Sequence, residues 1–185
     1  MNTPADLAIR FARPDDVPTI LTFIRELGEY EKLSHEVIAE ESTLRATLFG
    51  VKPAAEVLIA ELGGTNASGF DRDETPTPVG FALFFQSYST FLAKPGLYLE
   101  DLFVRPAARG KGIGAALMSA LARIAVQRNY GRFEWSVLDW NARAISFYER
   151  MGATVMPEWR ICRVTGEALA RFGASCDPAD KIDAG

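Results

Sequence analysis

Tyr98-Leu99-Glu100-Asp101-Leu102-Phe103-Val104-Arg105-Pro106-Ala107-Ala108-Arg109-Gly110-Lys111-Gly112-Ile113-Gly114 is the stretch whose reading decides the fold. Leu97 to Val104 reads as an apolar strand carrying two adjacent carboxylates. Pro106 closes a short loop, and Gly110, Gly112 and Gly114 open a helix with Ile113, Leu117, Leu121 and Ile124 on one stripe. A helix start presents unpaired backbone N–H groups and the positive end of a dipole. Glycine has no Cβ, so its backbone can approach a ligand closely. Together these make an anion site that suits a pyrophosphate.

The same residues admit two other readings. Gly110-x-Gly112-x-x-Ala115 satisfies the loose form of the dinucleotide fingerprint, and Glu134 lies about twenty residues on, where a ribose-binding acid would sit. Against this, five residues, Arg105 to Arg109, separate strand from glycines, whereas a dinucleotide turn follows its strand directly. A plain structural loop is the third reading.

The rest of the chain gives an α/β order. Leu7 to Ala12 alternates like a strand, and Pro14 with Asp15 or Asp16 starts a helix carrying Ile20, Leu21, Ile24 and Leu27. That helix is expected to end between Gly28 and Glu31. A second helix is expected over Glu40–Phe49, with strands at Val57–Glu61, Val79–Gln86, Leu97–Val104 and Phe133–Leu138. The Gly, Thr, Asp and Pro content of Gly63–Pro78 marks a long hairpin connection. Asn141 caps a short helix that Gly152 terminates, Ile161–Val164 reads as a last strand, and a polar, flexible tail begins at Gly173. The expectation is one domain over residues 1–172 and a tail over 173–185.

Composition narrows the class. The chain has 185 residues, of which 48% are hydrophobic and 24% charged, ordinary values for a globular domain. A net charge of −4 disfavours nucleic acid, whose phosphates need a basic face, and suits a cationic substrate. Two cysteines, Cys162 and Cys176, make no disulfide framework, and the single histidine, His35, excludes a histidine-rich metal site. No apolar run reaches membrane-spanning length, and Met1–Asp6 lacks the pattern of a secretory leader. The location expected on these grounds is cytoplasmic, with no metal and no membrane partner.

Arg109-x-x-Gly112-x-Gly114 resembles the acetyl-CoA signature of the GCN5-related N-acetyltransferases, and the element order over about residues 7 to 165 matches their fold. That fold is α/β (α+β), a central mixed, mostly antiparallel sheet flanked by helices. Three further segments narrow the resemblance. Arg25-Glu26-Leu27-Gly28-Glu29-Tyr30-Glu31, Tyr98 to Val104, and Leu138-Asp139-Trp140-Asn141-x-x-Ala144-x-x-Phe147-Tyr148-x-x-x-Gly152-Ala153 look like the diamine (spermidine/spermine) branch. Val137-Leu138-Asp139-Trp140-Asn141 and Tyr88-Ser89-Thr90 look more like its thialysine subgroup. Polyamine enzymes tend to carry an aspartate where Ser89 stands, which removes one carboxylate for a distal amine.

The resemblance implies acetyl-CoA as cofactor, a small-molecule amine as acceptor and a homodimer. It places the cofactor on Leu102, Phe103, Val104, Arg109, Gly110, Lys111, Gly112, Ile113, Gly114, Ala115, Asn141, Ala144 and Tyr148. It places the acceptor on Tyr30, Glu31, Ser89, Glu100 and Asp101, with Glu100 as proton acceptor through water and Tyr148 as general acid to the leaving thiolate. The chemistry agrees with such carboxylates. An alkylammonium has a pKa near 10, so the site must attract the cation and then take its proton. Alternation along a strand puts Glu100 and Asp101 on opposite faces, so one of them at most meets the amine directly. Without the resemblance, Tyr148 shares a helical face with Ala144 and Met151 and reads as a core aromatic. A coenzyme-A-binding module without catalysis, and a nucleotide-cofactor oxidoreductase, are the readings of other classes.

Overall fold

β1 (Leu7–Phe11), β2 (Glu56–Leu62), β3 (Thr77–Ser89), β4 (Lys94–Val104) and β5 (Phe133–Trp135) form one sheet in that spatial order. The first three pairings are antiparallel and β4·β5 is parallel. The computed structural model describes residues 3–63 and 75–174. The greater part of the expected Gly63–Pro78 connection, and Cys176, lie outside the described residues.

α1 (Val17–Glu31) and α2 (Glu41–Phe49) cover one face of the sheet. Val17, Ile20, Leu21 and Phe23 of α1, with Leu44 and Leu48 of α2, pack on Val57, Ile59, Phe81 and Phe103. Those four strand residues lie on one face of the pleat, as paired registers require. The alternate positions Leu58, Ala60, Ala82, Phe84, Leu97 and Leu99 are equally buried and face the other way, toward α3 (Ile113–Gln127). Covering on both faces explains why β2, β3 and β4 read as nearly continuous apolar runs. Asp16 does not cap α1 through its side chain. Its carboxylate instead takes Arg10 at 2.7 and 2.9 Å and the Arg13 N–H at 2.7 Å, over a short 3-10 turn at Pro14–Asp16.

The contacts group the chain into two compact units, Met1–Ser136 and Val137–Gly185. The first holds the whole sheet, α1, α2 and α3. The second holds α4 (Ala142–Arg150) and α5 (Gly166–Ala174). Two expectations fail here. Ile161–Val164 forms no strand: Ile161 and Val164 are exposed, and no described segment of their own unit offers a strand edge to pair with. Gly173 does not begin a tail but sits in α5; residues 175–185 lie outside the described residues.

Candidate active site

β4 and β5 pair only over Leu97↔Phe133, Tyr98↔Glu134 and Leu99↔Trp135. A Tyr98–Ser136 hydroxyl contact of 2.7 Å closes the paired section. From Glu100 to Val104 β4 has β3 on one side and no strand on the other among the described residues. Backbone N–H and C=O groups along that edge are open to an extended ligand, as at any free strand edge. Leu102 and Val104 are half-buried, while Phe103 is 3% exposed in the core, so Phe103 can serve a ligand only through its backbone.

At the end of this edge a 3-10 turn, Pro106–Ala108, leads into the glycine loop. Gly110 and Gly112 have φ of 79° and 77°, a region that costs other L-residues about 1–2 kcal/mol. A Cβ at Gly110 would meet nothing within 4 Å, so that turn is open on its outer side. Gly112 caps α3 without any side-chain hydrogen bond, and the first helical bond is Ala116 N–H to the Gly112 carbonyl at 3.0 Å. The N–H groups of Ile113, Gly114 and Ala115 therefore lack intrahelical acceptors and point out of the helix start. Ile113 itself is a core side chain, while Lys111 is exposed beside the loop. Such a helix start has the geometry and dipole that suit an anion. The dinucleotide reading fails on topology: the glycine turn follows a strand of a mostly antiparallel sheet, and Glu134 is ion-paired to Arg132 at 2.6 Å.

Across the sheet from this loop lies an acidic cluster. Register shifts between Leu83 and Phe84, so Leu83 faces Asp101 while Phe84 faces Leu99, leaving Glu100 as the extra residue of a β-bulge. A bulge re-aims side chains, and the simple alternation expected for Glu100 and Asp101 is broken. Glu100 is exposed, whereas Asp101 is half-buried with its carboxyl pushed up to about 6. Burial is the main cause, followed by the charges of Glu100 and Glu31. Glu31, in the last turn of α1, is raised by burial as well. The two charged neighbours that raise Asp101, Glu100 and Glu31, are both acids.

Tyr30 is 38% exposed and stacks under Arg109, whose guanidinium carbon sits 4.5 Å from the ring centroid. Arg109 donates Nε–H to the Val104 carbonyl at 2.8 Å. Tyr30, Glu31, Glu100, Asp101, Arg109 and the glycines are thus brought to one region of the first unit. Ser89 is not. It ends β3, 2% exposed, its hydroxyl accepting the Leu92 N–H at 3.3 Å in the hairpin turn. It lies six residues along β3 from Leu83, the partner of Asp101, or about 20 Å of extended chain.

Asn141, Ala144 and Tyr148 share one face of α4 in the second unit. The Asn141 carboxamide oxygen accepts the Ala144 N–H at 3.2 Å, the cap read from sequence. Tyr148 is half-buried with its ring 5.2 Å from that of Phe147. Sequence reasoning missed Arg105, which grips Glu26 at 2.9–3.1 Å and lies over Phe23 at 4.8 Å. Two arginines bracketing Pro106, at a spacing of four residues, were the available sign.

Parallel strands β4 and β5 that pair over three residues only, beside a glycine-rich helix start without a side-chain cap, define the class by fold. The profile of the Acetyltransferase (GNAT) family matches residues 29–153, and the chain belongs to that family. It is an N-acetyltransferase, and the family generally uses acetyl-CoA. The chain is 41% identical over 194 residues to L-ornithine N5-acetyltransferase NATA1 of Arabidopsis thaliana, covering 87% of this chain and 85% of that one. It is 40% identical over 168 residues to thialysine N-epsilon-acetyltransferase of Bos taurus, covering 89% and 96%. Among solved structures, an integron cassette protein from the mobile metagenome of V. cholerae superposes with a TM-score of 0.71 at 26% identity, covering 93% of this chain and all of that one.

Proposed function

We propose that this enzyme transfers acetyl from acetyl-CoA to the side-chain primary amine of a short, lysine-like amino acid such as thialysine or ornithine. The observation that carries the reading is the grouping of three acids, Glu31, Glu100 and Asp101, at the β4 edge, where Glu100 and Glu31 act on a half-buried Asp101. Relatives named for ornithine and thialysine agree with it.

Acetyl-CoA supplies the activated thioester. The residues that would hold it are the backbone of Leu102, Phe103 and Val104, the loop Arg109–Gly110–Lys111–Gly112, and the N–H groups of Ile113, Gly114 and Ala115. Asn141, Ala144 and Tyr148 complete that set from α4. The cluster draws in the ammonium. Asp101, titrating near neutrality in a half-buried site, is the better-tuned first acceptor of its proton, because a base works best with a pKa close to the working pH. Exposed Glu100 then passes the proton to water. Backbone donors along β4 meet negative charge developing on the acetyl oxygen. Tyr148 donates to the departing sulfur.

A spermidine- or spermine-type acceptor is the runner-up. Beyond the cluster the next carboxylate level with β4 is Glu134 beside Tyr98, and Arg132 already neutralises it. A distal ammonium would find no free carboxylate there. A homodimer in the cytoplasm belongs to this proposal, with light scattering as its check; no helix among the described residues is long and apolar enough to cross a membrane. Turnover with acetyl-CoA over an amine panel, read by mass spectrometry of the products, tests the reading. Acetyl-CoA binding without product on any amine would leave the non-catalytic module in its place.

A further inference from the structure

Arg105 and Arg109 bracket the 3-10 turn that precedes the glycine loop, and both lie on aromatic rings of α1. Phe23, Glu26 and Tyr30, spaced by three and four residues, form the α1 face that receives them. The two arginines are held unequally. Arg105 is fixed: Nε and Nη2 bond Glu26 at 2.9–3.1 Å, Nη1 bonds the Pro78 carbonyl at 3.0 Å, and Phe23 beneath is fully buried. Arg109 makes one hydrogen bond, Nε–H to Val104, and no ion pair among the described residues. It rests 4.5 Å from the ring centroid of Tyr30 and 5.6 Å from that of Phe103. One arginine is a fixed hinge and the other an adjustable arm.

We infer that Tyr30 is a positioning residue: through its stack with Arg109, occupancy of the glycine loop sets Glu31, in the last turn of α1, for the acceptor ammonium. The inference rests on the acetyltransferase reading above. Arg109 adjoins Gly110, and Tyr30 adjoins Glu31 just before the helix ends at Lys32, whose φ is 63°. A diphosphate in the loop engages the Nη groups of Arg109, which have no acceptor among the described residues. The guanidinium then loses freedom, the Tyr30 ring beneath it is held with it, and the side chain of Glu31, next in the already closed last turn of α1, is set in place. An amine arriving second has less ordering to supply, which is positive coupling, and linkage makes it equal in both directions.

Calorimetry of thialysine with and without saturating coenzyme A, which lacks the acetyl group and gives no turnover, tests this. In the wild type and in Tyr30→Phe, which keeps the ring, coenzyme A should tighten thialysine by about fivefold or more, the lower end of usual allosteric coupling. In Tyr30→Leu that ratio should fall to about one, with coenzyme A affinity in the absence of amine essentially unchanged. Arg109→Lys retains charge but loses the planar stack, and should lower the ratio too, so the test does not depend on one variant folding. A wild-type ratio in Tyr30→Leu or Arg109→Lys, or an uncoupled wild type that still binds coenzyme A, overturns the inference alone. A wild type that does not bind coenzyme A overturns the acetyltransferase reading beneath it.

Discussion

Asp101, the proton acceptor of the proposed mechanism, carries a cost in stability. Its carboxyl is raised from an ordinary 3.8 to about 6, so the folded protein holds a proton there that the unfolded chain has already released. Between those values stability falls as pH rises, and above them the full cost remains, on the order of 3 kcal/mol. Asp101→Asn should therefore raise stability by about 1–3 kcal/mol at neutral pH, with the gain fading as pH drops from about 6 to about 4. Urea denaturation at several pH values measures this. The same variant should lose kcat/KM by about 10²-fold or more, along with the acid limb near pH 6 of the wild-type profile. A second residue-scale prediction concerns Tyr148. Tyr148→Phe keeps the ring and removes the hydroxyl, so kcat should fall by about 10²-fold with acetyl-CoA affinity little changed. Near-wild-type kcat would return Tyr148 to packing against Phe147.

At the scale of elements, the loop from β4 into α3 makes the sharpest claim. Gly114 lies in the first turn of α3 without positive φ, so a side chain there adds little backbone strain. Gly114→Val should cost less than about 1 kcal/mol of fold stability by helix propensity. It should still weaken acetyl-CoA markedly, because its branched side chain crowds the outward N–H groups. Calorimetry beside a thermal melt separates the two effects. The strand–loop–helix order here was legible because glycine spacing, Pro106 and the stripe from Ile113 all act locally. The bulge at Glu100 was not, since a register shift is set by the partner strand and leaves no local mark in Leu99-Glu100-Asp101. That shift is why Asp101, and not Glu100, is the half-buried acid. Nor could sequence place Ser89, whose burial depends on how the β3–β4 turn closes over its hydroxyl. Ile161–Val164 was read as a strand from its apolar residues alone, with no partner edge to sustain it.

For the whole molecule, the proposed cofactor and acceptor sites both lie along one edge of one sheet. Its acidity reinforces this: a net charge of −4 draws amines and repels acidic competitors, an effect that salt should weaken. Choice among amines follows from the extent of the free carboxylates. On the proposed reading Glu31, Glu100 and Asp101 would hold one ammonium, and Glu134, farther along, is paired with Arg132. The central claim is best tested by steady-state kcat/KM with acetyl-CoA on thialysine, ornithine, lysine, spermidine and spermine in one buffer. The account predicts turnover of the amino acids, thialysine foremost because its sulfur lowers the basicity of the reacting amine, with the polyamines well behind. Spermidine favoured about tenfold or more over thialysine, a difference of about 1.4 kcal/mol in transition-state binding, would contradict it.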